Sequence, residues 1–264
     1  MKLLRKILVG VIIFIGISLG TFVTVLYFNY VPPILMYHSI TPDVAAGTML
    51  AVTAETFEKQ MSFLARHRYN VISVEELAGL IRSKQKIPRN TVALTFDDGY
   101  KDNFTYAFPI LKKYGLTATF FVIVQEVGRL QQDRVSWDQI REMHTSKVFS
   151  IGSHCIGPEP LINLKSVQEV KYQIVDSKKI LQQRLGSPVS VFSYPEGHFT
   201  EAIRQVVIDA GYQAAVATNP GKGYPHEDIF ALKRIRISEN AKNMFVYWFE
   251  SSGYYTFLKE RRHK

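Results

Sequence analysis

Three hydrophobic patterns alternate along this chain. The first is a single uncharged run from Ile7 to Phe28, 22 residues long. At 1.5 Å per residue such a helix spans about 33 Å, close to the hydrocarbon thickness of a bilayer. The second pattern is a set of short, near-continuous apolar segments that read as strands buried on both faces. They are Ile34 to His38, Val71 to Val74, Thr91 to Phe96, Thr117 to Val124, Val148 to Ser153, Val189 to Tyr194, Ala214 to Ala217 and Leu232 to Ile237. The third is apolar residues at helical spacing between those segments. Phe57, Met61 and Leu64 predict a helix over Glu55 to His67, and Leu77, Leu80 and Ile81 predict the next. Further helices are expected over Asp102 to Tyr114, from Ser136 to about His144, from Ser166 to Leu185 and from Thr200 to Ala210.

Helix boundaries carry their own signals. Ser136 and Gln139, like Ser166 and Glu169, have capping-box spacing. Asp102 or Asn103 is the candidate N-cap of the helix that Gly115 stops, and Pro109 should shorten or kink its start. Thr41 to Ala51 reads as a loop, and the aromatic residues from Phe245 to Phe257 read as a last helix. Strand and helix alternate with short connections, which predicts a parallel α/β sheet or barrel. In such barrels chemistry gathers where strands end. Asp97, Asp98, His154 and Tyr194-Pro195 all fall at those ends.

Charge and targeting narrow the class. The chain of 264 residues carries a net charge of +9, which suits an anionic surface such as membrane lipid or wall polymer. No Arg/Lys-rich helix or base-stacking motif accompanies it, so nucleic acid is not expected as a partner. The single cysteine, Cys155, excludes an internal disulfide. Lys2, Arg5 and Lys6 precede the apolar run, and Tyr27-Phe28-Asn29-Tyr30 closes it without a convincing cleavage site. The expectation is a signal anchor over residues 1–30, with residue 31 onward outside the cytoplasm, a single-pass protein of the cell membrane.

The chemistry-bearing stretch is Thr91 to Gly99, an apolar strand that runs into Asp97-Asp98-Gly99. Adjacent carboxylates at a buried strand end repel and are costly to desolvate. Asp98 with His154 suggests a divalent cation site, with zinc the first candidate. Asp97 can then take the proton of an attacking water, and the turn Tyr194-Pro195-Glu196-Gly197 offers a backbone N–H at Glu196 to an oxyanion.

These motifs resemble the polysaccharide deacetylases of the NodB-homology family, carbohydrate esterase family four, from Pro33 to about Ser238. The most specific segments are Leu94-Thr95-Phe96-Asp97-Asp98-Gly99-Tyr100 and its continuation from Ala107 to Val122. Met36-Tyr37-His38-Ser39-Ile40 and the block from Trp137 to His154 also fit. The resemblance implies a distorted (β/α) barrel over residues 31–240, followed by an aromatic helix and basic tail over 241–264. It implies metal-dependent removal of N-acetyl groups from N-acetylhexosamine units of a cell-surface polysaccharide. Asp97 would be the base, Asp98 and His154 metal ligands, and Tyr194, Pro195 and Glu196 the substrate and oxyanion segment.

The pattern has gaps. Where the family has a second histidine this chain has Pro158, which cannot ligate a metal. Glu196 replaces the usual aromatic residue after the groove proline, and Leu232-Lys233-Arg234-Ile235 lacks the catalytic-acid histidine found there in relatives. His198, Glu159 and His38 are the candidates for an extra ligand or acid. The alternative is a glycan-binding protein that keeps the fold without the reaction.

Overall fold

A computed structural model describes residues 2–28, 30–44, 48–129, 133–218 and 228–255. The N-terminal run forms one helix, α1 (Lys2–Phe28), and Arg5–Val25 is apolar enough and long enough to cross a membrane.

The core is a parallel sheet rolled almost into a closed barrel. Its strands are β1 (Ile34–Tyr37), β4 (Asn70–Ile72), β5 (Thr91–Phe96), β6 (Ala118–Val122), β7 (Phe149–Ser153), β8 (Val191–Ser193), β9 (Ala214–Ala217), β10 (Leu232–Lys233) and β11 (Ile235–Arg236). They follow the order β10-β9-β8-β7-β6-β5-β1-β11, with β4 beside the start of β5. Between β10 and β11 only Arg234 intervenes. Leu232 pairs with Val216 of β9 and Ile235 pairs with Leu35 of β1, so one five-residue segment bridges the first and last strands. A separate parallel pair, β2 (Ser39–Thr41) with β3 (Ala51–Thr53), occupies the ends of what the sequence suggested was a loop.

Period-two alternation divides the buried residues into two cores. Leu35, Tyr37, Leu94, Phe96, Phe120 and Phe192 point outward and are covered by helices. Helix α2 (Ala54–Arg66) supplies Phe57, Met61 and Leu64, all fully buried, each worth about 1.5–3 kcal/mol. The residues of opposite parity, including Ile34, Ala93, Phe121, Val191 and Leu232, fill the lower lumen. Helix α3 (Val74–Arg82) plugs that end with Val74, Leu77 and Ala78. Gly152 makes room for the lumen ring of Phe121, which lies 2.5 Å from where a Cβ would stand.

Caps agree with the sequence in part. Ser136 and Gln139 form both bonds of the capping box at the start of α5 (Trp137–Thr145). Ser166 accepts from Glu169 N–H at α6 (Val167–Lys171), but the Glu169 carboxylate returns to Lys165 N–H instead. A wide turn at 172–176 joins α6 to α7 (Ser177–Leu185), so the expected helix from Ser166 to Leu185 is continuous but not uniformly α. The expected helix from Asp102 is likewise split. A wide turn at Asn103–Ala107 leads into α4 (Phe108–Tyr114), and neither candidate caps it. Pro109 has no N–H to give and crowds the preceding turn, which widens the helix there. Asp102 instead accepts the Ser39 hydroxyl, and the Asn103 amide donates to the His38 carbonyl at 2.9 Å.

Helix α8 (Glu201–Asp209) starts at the Thr200 cap, and α9 (Met244–Ser251) buries Tyr247 while exposing Phe245 and Trp248. His144, in the last turn of α5, is half-buried with its Nε2 2.9 Å from the Ser187 hydroxyl. The basic tail from Lys259 lies outside the described residues.

Candidate active site

Because all the barrel strands are parallel, their C-terminal ends open on one mouth. Three of the loops there turn through a non-glycine residue in the left-handed region: Asp98 (φ 69°) after β5, Cys155 (φ 72°) after β7 and Glu196 (φ 55°) after β8. Such residues carry a steric cost and persist only where surrounding structure holds them. Here each turn begins within three residues of its strand's end, directly beside a side chain of the lumen.

Asp97 shares inward parity with Thr95, and it is almost completely buried. Its carboxylate is gripped at both oxygens by Arg234, with Nη1 to Oδ1 at 2.8 Å and Nη2 to Oδ2 at 2.7 Å. Arg234 also donates to the Ser193 hydroxyl at 2.9 Å and the Thr95 hydroxyl at 3.3 Å. Burial alone would push the Asp97 pKa up. Arg234, with His154 and His38, outweighs it and brings the value to about 2. The base candidate is therefore ionised at any physiological pH.

His154 is buried beside this pair. Its Nδ1 donates to the Ser193 carbonyl at 2.8 Å, which turns Nε2 toward Asp98 Oδ1 at 3.5 Å and Asp97 Oδ2 at 4.0 Å. A backbone acceptor on Nδ1 is the arrangement that orients a metal-ligating imidazole. Donors about 2.0–2.1 Å from a tetrahedral ion lie about 3.4 Å apart, so Asp98 and His154 fit two positions of one cation. Burial lowers the His154 pKa, but Asp97 and Asp98 outweigh it and raise it. For Asp98 burial raises the pKa, and His154 overcomes that and lowers it. Among the described residues no three His, Cys, Asp or Glu side chains gather as a ligand set.

His38 reaches the same lumen mouth from the end of β1. Burial lowers its pKa, and Asp97 and Asp98 are the charges that pull the other way. Its Nδ1 is buried without a hydrogen-bond partner. His198 lies apart, exposed, with Nδ1 3.8 Å from Glu196 Oε2. Glu159 is also exposed and accepts from Asn163, and Pro158 stands on the surface. Cys155 is buried, and burial pushes its thiol pKa far up.

The groove turn needs one correction. Tyr194 does not present its side chain to the mouth: it is fully buried, stacked on Phe199 at 4.3 Å, and its hydroxyl donates to the Phe230 carbonyl at 3.1 Å. Its outward parity on β8 dictates this. Pro195 is buried as well, so Glu196 is the exposed residue of the turn. Gly197 N–H donates to Tyr194 O and His198 N–H to Pro195 O, and Glu196 N–H is the turn's remaining donor. Gly197 (φ 75°) is required there, since a Cβ would lie 2.3 Å from Thr218 N.

Comparison with known proteins decides the class. A sequence profile described as polysaccharide deacetylase matches residues 84–215. YxkH of Bacillus subtilis (strain 168), whose name places it among the polysaccharide deacetylases, is 34% identical over 206 residues, covering 78% of this chain and 71% of that protein. This chain belongs to the polysaccharide deacetylase family. Family members are hydrolases of carbohydrate esterase family four. The poly-beta-1,6-N-acetyl-D-glucosamine N-deacetylase of Staphylococcus aureus (strain N315) is 25% identical over 204 residues, covering 72% and 69% of the two chains. The Streptococcus pyogenes deacetylase PplD in complex with acetate superposes with a TM-score of 0.74 at 28% identity, over 82% of this chain and 97% of that one.

Sequence reasoning had not singled out Arg234, Ser193 or Thr95 as site residues. The signal was weak: Arg234 shares inward parity with Leu232, but so does Arg236, and nothing in Leu232 to Ile237 tells the two arginines apart.

Proposed function

We propose that this protein is a membrane-anchored, extracytoplasmic N-deacetylase acting on N-acetylhexosamine units of a cell-surface polysaccharide. The observation that carries the reading is the pairing of a buried, ionised Asp97 with an imidazole and carboxylate that face each other beside it. PplD, solved with acetate, and the staphylococcal N-deacetylase support the reaction type and make poly-β-1,6-N-acetylglucosamine the first substrate to try.

In this reading Asp98 and His154 would hold a divalent cation, zinc first, which would supply polarisation of the acetamide carbonyl and acidify a water beside it. Asp97 accepts the proton of the attacking water through a lone pair that Arg234 leaves unused. Glu196 N–H donates to the developing oxyanion. The proton that Asp97 accepts is then passed to the leaving nitrogen, with His38 beside it as the relay through its unpartnered Nδ1. The C–N bond breaks, and acetate and a free amine leave. Residues 1–30 form the anchor, 31–240 the barrel domain and 241–264 the closing helix and tail.

Acetate release by the full chain on the acetylated glycan, with and without zinc, tests this. Asp97→Asn should lower the rate by at least roughly 100-fold, the usual contribution of a positioned acid–base group. The surface position of Pro158 favours one rival, a barrel that binds glycan without hydrolysing it. Absence of release with any added divalent ion, together with retained glycan binding, would establish that rival. Pro158→His should tighten zinc binding and raise the rate if a third ligand is what limits the site.

A further inference from the structure

The end of the barrel opposite the mouth carries a feature the reaction does not use. All strands start there, and the segments 66–70 and 82–90, which lead into β4 and β5, hold six Lys or Arg and no Asp or Glu. Arg66, Arg68, Lys84, Lys86 and Arg89 are exposed. The two segments are tied together, with Asn70 N–H donating to Asn90 O at 2.9 Å and the Asn70 amide to the Thr91 hydroxyl at 3.3 Å.

The chain leaves α1 into this same face. Tyr30 lies two residues beyond Phe28, a reach of about 7 Å. Its hydroxyl donates to Thr91 O at 3.0 Å, and its ring meets Tyr254 edge-on at 6.3 Å. Arg89 and Tyr69 are among the groups that influence Tyr30 electrostatically, so the basic loop adjoins the helix exit. Val31 N–H donates to Gly253 O at 3.3 Å and fixes the exit against the end of α9. Tyrosines grouped with basic side chains are the composition of a membrane–water interface.

We propose that this basic floor docks on anionic lipid headgroups of the bilayer that holds α1, so that the catalytic mouth points away from the membrane toward the glycan. The proposal rests on α1 being an anchor. The tether keeps the floor close to headgroup depth, within the roughly 8–10 Å over which surface charge acts at physiological salt. Each basic side chain there favours the docked state about five-fold.

The test uses the full chain in nanodiscs, with a spin label at Gln85→Cys on the floor or at Asp138→Cys at the mouth end, and a paramagnetic headgroup lipid. In discs containing phosphatidylglycerol the label at 85 should be strongly broadened and the label at 138 little. In phosphatidylcholine discs the broadening at 85 should fall. In the variant carrying Lys84→Gln, Lys86→Gln and Arg89→Gln the docked-to-free ratio should drop on the order of 100-fold. Equal broadening in the two lipids, no effect of the triple variant, or broadening at 138 rather than 85 overturns the proposal. Competition by soluble poly(glycerol phosphate) at phosphate concentrations below that of the lipid also overturns it, because the occupant is then the polymer. Failure of the anchor reads out separately, as a chain not retained in discs. Flotation of that chain with phosphatidylglycerol vesicles then decides the floor by the same triple variant.

Discussion

The upper and lower halves of the barrel lumen are built by the same strands and solve opposite problems. Below, the inward positions are Ile34, Ala93, Phe121, Val191, Val216 and Leu232, sealed by α3, and burial itself is the stabilising term. Above, the inward positions that follow include Thr95, Asp97, Ser193 and Arg234 beside Met36, equally buried, and for these polar groups burial is the destabilising term. The upper half stands because its most buried charges satisfy one another at hydrogen-bond distance: Arg234 bonds Asp97, Ser193 and Thr95, and His154 bonds the Ser193 carbonyl. The lower half tolerates loss of one contact at the cost of a cavity. The upper half does not tolerate loss of one partner, because a buried charge is left behind.

Breaking the upper half should therefore have the largest effect on stability. Arg234→Met leaves Asp97 buried and unpaired, and chemical denaturation should show a loss of about 3–5 kcal/mol. Arg234→Met combined with Asp97→Leu should recover most of it, since no charge remains to desolvate. A double variant as unstable as the single one would mean that Arg234 acts through packing. Next is the plug: Leu77→Ala should cost about 2–5 kcal/mol through the cavity it opens. Turnover per folded molecule should be unchanged, because α3 touches the lower lumen only. A fall in that turnover would show the two halves to be coupled.

Much of this architecture was legible in the chain. The apolar run Thr91 to Phe96, the helical spacing of Phe57, Met61 and Leu64, and the capping box at Ser136 each report a local physical preference, and each formed where expected. Asp97, Asp98 and His154 were legible because strand ends are where such a barrel places chemistry. Arg234 was not, for a physical reason. Its partner lies 137 residues away, and beside Lys233 and Arg236 an arginine reads the same whether it is paired in the lumen or exposed at a strand end. The α3 plug was hidden in the same way, since amphipathic spacing at Leu77, Leu80 and Ile81 reveals a buried face but not which surface covers it. Tyr194 shows the converse error: a motif residue at a strand end points outward when its parity says so.

The smallest predicted effect separates the halves by sign. Asp97 titrates at about 2 rather than at 3.8, so its contribution is complete above the unfolded value and is lost as pH falls through the folded one. That loss amounts to about 2 kcal/mol between roughly pH 4 and 2. Two carboxyls elsewhere run the other way. Burial raises Asp102 to about 6 and also raises Glu75, beside Ser150 and Thr119 near the plug. A raised acid binds its proton more tightly when folded, so both favour the native state as pH falls toward their unfolded values. Asp102 and Glu75 thus add stability from pH 7 to about 4, against the opposite contribution of His38, and Asp97 removes stability below that. In Arg234→Met the drop should shrink, because the guanidinium no longer opposes burial at Asp97 and only His154 and His38 still do. Asp98, which His154 lowers, keeps a small acid decline of its own. Denaturation midpoints of the two proteins at pH 7, 4 and 2.5 check this, and a parallel acid decline in both would show that Arg234 is not what keeps Asp97 ionised.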